Sequence, residues 1–157
     1  MGLLDRLGKN VVSLFSEETR VTRYVVLTTS VGGVTAPGGP IEVIGSEWAP
    51  QFELPGIVNA HSVLTFGARP RAGGTRFTAR VSTSHEPHIV DHTFADAERQ
   101  LFHVVLRPAV LKESGNEIIF SVASGPGDTA GVVTFFDAVI MYTTDKLTIK
   151  SPPVFTQ

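Results

Sequence analysis

Two periodicities divide the chain. Over residues 1–18, MGLLDRLGKNVVSLFSEE, the apolar positions Leu3, Leu4, Leu7, Val11, Leu14 and Phe15 recur at steps of three and four, with Asp5, Arg6, Lys9, Asn10 and Ser13 on the other side. That spacing predicts a short amphipathic helix. Gly8 lies inside it, and a helix of this length is marginal in water by itself. The entropy lost in ordering it is of the same size as the gain from burying its apolar stripe. Leu3, Leu4, Leu7, Val11, Leu14 and Phe15 are therefore expected to dock on a partner or a neighbouring copy rather than to form part of a core.

From residue 20 the period falls to two. RVTRYVVLTT (20–29) is rich in β-branched residues, and TRFTARVST (75–83) alternates Phe77, Ala79 and Val81 with Arg76, Thr78 and Arg80. The same habit returns in HSVLTFGAR, QLFHVVL, NEIIFSV, GVVTFFDAVIMYTT and KLTIK. Clusters with turn chemistry separate these runs: VGGVTAPGGP (31–40), which reads as one long loop, RPRAGG (69–74), KESGNE (112–117) and SGPGDTAG (124–131). Some seven to nine short strands without a second helical stretch predict an all-β, jelly-roll-like antiparallel β-sandwich. The expected organisation is a helical arm at 1–18, a sandwich domain at 19–150 and an extended tail, SPPVFTQ, at 151–157.

Composition narrows the function classes. A chain of 157 residues suits one domain with its own core. It has no cysteine, which removes disulfides and Cys-type zinc sites. Net charge is −2 and the basic residues are scattered, so the footprint of a nucleic-acid binder is missing. No run of about 18 apolar residues predicts a membrane span. Asp5, Arg6 and Lys9 interrupt the N-terminal segment where a signal peptide needs an apolar stretch, so synthesis in the cytoplasm without a signal peptide is expected. Met1-Gly2 suggests a myristoylation start, but Arg6 stands where that pattern takes Ser or Thr. Charged residues are only 18% and mean hydropathy is +0.15, so some apolar surface is expected to meet another protein.

The stretch STSHEPHIVDHTF (82–94) concentrates His85, His88 and His92 beside Glu86 and Asp91, and His103 follows. A helical zinc pair would set two histidines four apart, whereas His85 and His88 are three apart around Pro87. On a strand His88 and His92 would share a face and His85 would oppose them. A polar loop between strands, with no metal, is the expectation. No nucleophile elbow, phosphate-binding loop or dinucleotide fingerprint is present, and no catalytic residue or cofactor is expected. Of the residue types that form sugar platforms the chain holds Trp48, Tyr24 and Tyr142, and Trp48 in SEWAPQFELPG is the one candidate ligand platform, set against a core or interface role.

The run FHVVLRPAVLKESGNEIIFSV, a Gly-rich turn and VTFFDAVIMYTT cover roughly residues 100–143. They resemble the second half of jelly-roll sandwiches in the galactose-binding-like and carbohydrate-binding-module superfamily. Those domains often carry a strand, a Leu-Lys-x-Gly-Asn turn, an apolar strand, and a closing strand with Asp and an aromatic residue. Here the turn, Leu111-Lys112-Glu113-Ser114-Gly115-Asn116, is one residue longer. The resemblance implies the fold. Independently of it, Gly115 can take the positive φ of a tight turn, Asn116 can bond local backbone, and Ile118, Phe120 and Val122 share one face of the next strand. Asp137, inside an apolar run, is expected to bond loop backbone at the sandwich edge.

Together these readings favour a structural subunit of a large assembly, such as a phage capsid decoration or minor virion protein, with copies of itself and a larger scaffold as partners. The alternative is a carbohydrate-binding module. A metal-dependent enzyme using the histidine stretch ranks last.

Overall fold

A computed structural model describes residues 20–31, 34–37, 40–82, 88–123, 127 and 129–145. The expected helical arm, the KLTIK strand and the C-terminal tail lie outside the described residues. Among the described residues twelve strands follow in chain order: β1 (Val21–Val26), β2 (Thr28–Val31), β3 (Val34–Pro37), β4 (Ile41–Ile44), β5 (Glu47–Trp48), β6 (Gln51–Phe52), β7 (Ser62–Pro70), β8 (Arg76–Val81), β9 (Val90–Thr93), β10 (Gln100–Leu106), β11 (Asn116–Val122) and β12 (Val132–Thr144).

Two antiparallel sheets form the sandwich. In the first, β10, β7 and β12 lie side by side, and the far edge of β12 carries β4 along its first half and β1 along its second. In the second, β9, β8 and β11 lie side by side, and β5 and β6 share the far edge of β11. From β7 onward the chain passes from the first sheet to the second for β8 and β9, back for β10, across for β11 and back for β12. This is the jelly-roll-like, all-β arrangement expected from the period-two pattern.

The core follows from that alternation. Phe66 of β7 and Phe135 of β12 face Phe77 of β8 and Phe120 of β11, so each sheet supplies two rings from its two central strands. The Phe66–Phe77 and Phe66–Phe120 pairs are edge-on at 6.0 and 5.2 Å, and Phe77–Phe135 is edge-on at 5.4 Å. These are the arrangements that the ring quadrupole favours, and each adds about 0.5–1.5 kcal/mol beyond the area buried.

The structure corrects three details. Residues 31–40 are not one loop, because Thr28–Val31 pairs antiparallel with Val34–Pro37. Residues 90–93 of the histidine stretch form a strand, β9, paired with β8. Asp137 lies within β12 and not at a sandwich edge: the register on β7 shifts between Phe136 and Val139, and Asp137 takes φ of 49° there. The extra residue of that bulge lets Phe135 and Ala138 both face inward although they are three apart.

The turn before β11 is held by one side chain. Asn116 is buried, its Oδ1 accepts from the Lys112 amide at 2.8 Å, and its Nδ2 donates to the Lys112 carbonyl at 2.6 Å and to the Phe52 carbonyl at 3.4 Å. Gly115 beside it has φ of 70° with open space where a Cβ would stand, so a substitution there meets a backbone cost without a clash. Gly115→Val is expected to lower stability by more than roughly 1 kcal/mol, and Gly115→Asn by less. Asn116→Ala, which leaves both Lys112 backbone groups without their partner, is expected to cost about 1–3 kcal/mol. Urea unfolding of the three variants checks the set, and an unchanged midpoint for Asn116→Ala would contradict this account of the turn.

Candidate functional site

A cleft of about 490 Å³ lies where β6, the start of β11 and the end of β8 meet. Gln51, Phe52 and Glu53 form one wall, Gly115, Asn116 and Glu117 another, and Ser82 closes it. Asn116 and Phe52 are buried and fix the floor. Glu117 sits at an outward position of β11 opposite Gln51, and Gln51 Nε2 donates to Glu117 Oε2 at 3.1 Å. The cleft thus presents two carboxylates, one amide and one hydroxyl on a rigid base. It lies within the size range of small-ligand sites.

The two outer faces of the sandwich differ in chemistry. On the second sheet, Glu47, Ser121, Thr78 and Asp91 form one cross-strand row. Ser121 Oγ donates to Glu47 Oε1 at 2.8 Å, and Arg76 holds both oxygens of Asp91 at 2.7 and 2.5 Å. On the first sheet, the register places Tyr24, Met141, Val63 and Val105 in one row across all four strands. Tyr24 is 71% exposed and Val105 65%. A second row behind it holds Val26, Val139, Thr65 and His103.

Past the bulge this outer face carries an ion pair. Arg99 reaches Asp137 at 3.2 Å, and its guanidinium lies 4.6 Å from the centre of the Phe136 ring. It also crosses Gly67 so closely that a Cβ there would stand 2.9 Å from Nε, which explains a glycine within β7. The surrounding hollow, lined by Thr65, Arg99, Leu101, His103 and Asp137, measures about 160 Å³.

The described histidines of this stretch and His103 do not converge. His88 is exposed, whereas His92 pairs with Phe77 across β8 and β9 and faces inward. Its ring meets Phe94 edge-on at 4.8 Å and Phe102 at 5.1 Å. Asp91 is engaged by Arg76, and His103 belongs to the other sheet; His85 and Glu86 lie outside the described residues. No group of three metal-ligating side chains occurs among the described residues.

Trp48 is half-buried and stacks on Phe120 at 4.9 Å with 21° between the planes, with Phe135 at 6.0 Å, so the core occupies one face of the indole. The docking positions Leu3, Leu4, Leu7, Val11, Leu14 and Phe15 lie outside the described residues. Sequence reasoning missed Gln51, Glu53, Ser82 and Glu117 as a group, because they come from three separate segments. It also missed the row of Tyr24, Val63, Val105 and Met141, which only register assembles.

No family model and no curated protein matches the sequence. Among solved structures, the chain is similar to the CBM36-1 domain of a multidomain xylanase from the hindgut metagenome of Trinervitermes trinervoides, at 7% identity and a TM-score of 0.44, over 78% of this chain and 96% of that one. It is also similar to a family two carbohydrate esterase from Cellvibrio japonicus, at 18% identity and a TM-score of 0.36, over 80% of this chain. The chain spans 34% of the length of that esterase. The likenesses concern the fold alone.

Two outcomes follow from the local chemistry. His92 Nε2 is buried without a hydrogen-bond partner among the described residues, so His92→Phe is expected to be neutral or to raise stability by about 1 kcal/mol, and His92→Asp to lower it by about 2 kcal/mol or more. Thermal melting checks both, and a strongly destabilised His92→Phe would contradict the packing described. The Asp91 carboxyl is held below its ordinary range by the hydrogen bonds and charge of Arg76. Because the folded value is depressed, the stabilisation is present above the unfolded value of about 3.9 and is lost as pH falls through the folded value. Carbon-13 NMR titration is expected to place the Asp91 midpoint below the unfolded value, and Arg76→Ala to return it there.

Proposed function

We propose that the domain is a non-catalytic carbohydrate-binding module whose ligand occupies the cleft of Gln51, Glu53, Ser82 and Glu117. The observation that supports this reading is the cleft itself: about 490 Å³, open to solvent-borne ligands, and lined by acceptors and donors on a floor fixed by Asn116. Adjacent sugar hydroxyls each donate and accept, so paired carboxylate, amide and hydroxyl groups on rigid strands match them. The Gln51 amide engages Glu117, which suits a fixed hydrogen-bonding array. The two solved structures, with TM-scores of 0.44 and 0.36, add no weight to the ligand class.

A second reading, a subunit of a larger protein assembly, is favoured by the apolar row of Tyr24, Met141, Val63 and Val105. Nothing in that row singles out a virion.

Calorimetric titration of the full chain with neutral and acidic oligosaccharides tests the first reading. At least one is expected to bind, with affinity falling about 5- to 100-fold in Glu117→Ala or Gln51→Ala, the loss of one or two hydrogen bonds. Thr78→Ala, on the polar outer face, is expected to leave it unchanged. Absence of binding to the whole panel, or binding indifferent to both cleft variants, would contradict the proposal.

A further inference from the structure

Among the described residues, the free edges of the two sheets fall to six strands: β10, β1 and β4 in the first, β9, β5 and β6 in the second. A bare strand edge pairs readily with another chain, and sheets guard against this with short edges, charges or bulges. β5 and β6 are two residues each, and β1, β4 and β9 carry Arg23, Glu42 and Asp91. β10, Gln100–Leu106, has none of these guards. Its seven residues include no Asp, Glu, Lys, Arg or Pro, and it pairs with β7 along its whole length without a bulge. Its backbone bonds β7 on one side, and no described residue bonds it on the other. Leu101 and Val105, both on the outer face, are 68% and 65% exposed. The nearest charge before the strand, Arg99, turns across Gly67 to Asp137 at 3.2 Å, over β7 and away from the free edge.

We infer that this edge is where two copies of the chain meet, β10 against β10 in antiparallel pairing about a twofold axis. A strand paired antiparallel with its own copy is an isologous contact, so it closes at two copies. In a joined sheet with both outer faces on one side, opposed side chains share that side, so the axis passes through a residue position rather than between two. Centred on His103, the register sets Leu101 of each copy opposite Val105 of the other on the outer face, and Phe102 opposite Val104 on the inner one. Centred on Phe102 or on Val104, it would set Val105 opposite Arg99 or Leu101 opposite Arg107. Apolar cross-strand pairs select the first. Arg107 then falls opposite Arg99 beyond the strand ends, and Asp137 draws Arg99 off that position. The strand is thus complementary to itself, uncharged against uncharged, which commits the edge to a second copy rather than to a charged segment of another protein. The joined sheet takes four strands in a row from each copy, β1, β12, β7 and β10, all antiparallel and within the usual size of open sheets. The cleft at β6 and β11 is not part of this edge, and the inference is independent of what it binds.

Sedimentation of the full chain from about 1 µM to about 1 mM is expected to show monomer and dimer in exchange, the modest affinity of a small interface. Two double variants read the register, and both place charges only at exposed outward positions, so their melting curves are expected to stay close to that of the parent. Leu101→Lys with Val105→Lys sets lysine against lysine twice and is expected to weaken the dimer about tenfold or more. Leu101→Glu with Val105→Lys sets glutamate against lysine twice and is expected to stay within about threefold of the parent. His103→Cys, at the axis, is expected to form a disulfide-linked dimer under mild oxidation, in a chain with no other cysteine. Leu101→Cys, whose copies lie about 14 Å apart in this register, is not. A chain still monomeric at about 1 mM, a dimer indifferent to the lysine pair, or equal weakening in both double variants would overturn the inference. Leu101→Cys linking as readily as His103→Cys would overturn it too.

Discussion

The contact among Phe66, Phe77, Phe120 and Phe135 is the constraint on which the rest of this molecule depends. Each ring belongs to a different central strand, two from each sheet, and all four are essentially inaccessible to solvent. Side chains alternate across a strand, so fixing which residues face inward also fixes which face outward. With Phe66 inside, Val63, Thr65 and Gly67 must line the outer surface. With Phe120 inside, Glu117 and Ser121 must. The apolar row on one sheet, the polar row on the other and the position of Glu117 in the cleft are consequences of one buried aromatic cluster.

Two local devices let that cluster coexist with the chemistry around it. The bulge at Asp137 resets the inward register of β12 so that Phe135 and Ile140 both reach the core although they are five positions apart, an odd step that strict alternation would send to opposite faces. It also turns Asp137 outward to meet Arg99. Asn116 does the same service for β11: by bonding Lys112 and Phe52 it ties the turn to β6 and sets the residue after it, Glu117, at the cleft.

Much of the architecture was legible because period two is a strong signal. QLFHVVL and NEIIFSV became β10 and β11 with the bounds read from the sequence, and Gly115 and Asn116 hold the turn that their chemistry implied. Short strands such as Glu47–Trp48 and Gln51–Phe52 were not legible, since two residues carry no period and owe their pairing to β11. The faces of β10 were equally opaque: Leu101 and Val105 alternate with Phe102 and Val104, both sets are apolar, and only packing against Phe66 decides between them. His92 misled for the opposite reason. In a polar stretch it reads as solvent-facing, yet β9 turns it into a phenylalanine cluster. The cleft residues come together from positions about 30 to 65 apart in sequence, a proximity that no local pattern encodes.

The central functional claim is that ligand recognition belongs to the cleft at the start of β11 and not to either outer face. Amide chemical-shift mapping of the nitrogen-15-labelled full chain, titrated with the oligosaccharide panel, tests it most directly. The account predicts shifts confined to residues 51–53, 82 and 115–117, with the amides of Tyr24, Val63, Val105 and Met141 unmoved. Shifts centred on that apolar row, or a spectrum unchanged by every sugar, would contradict it.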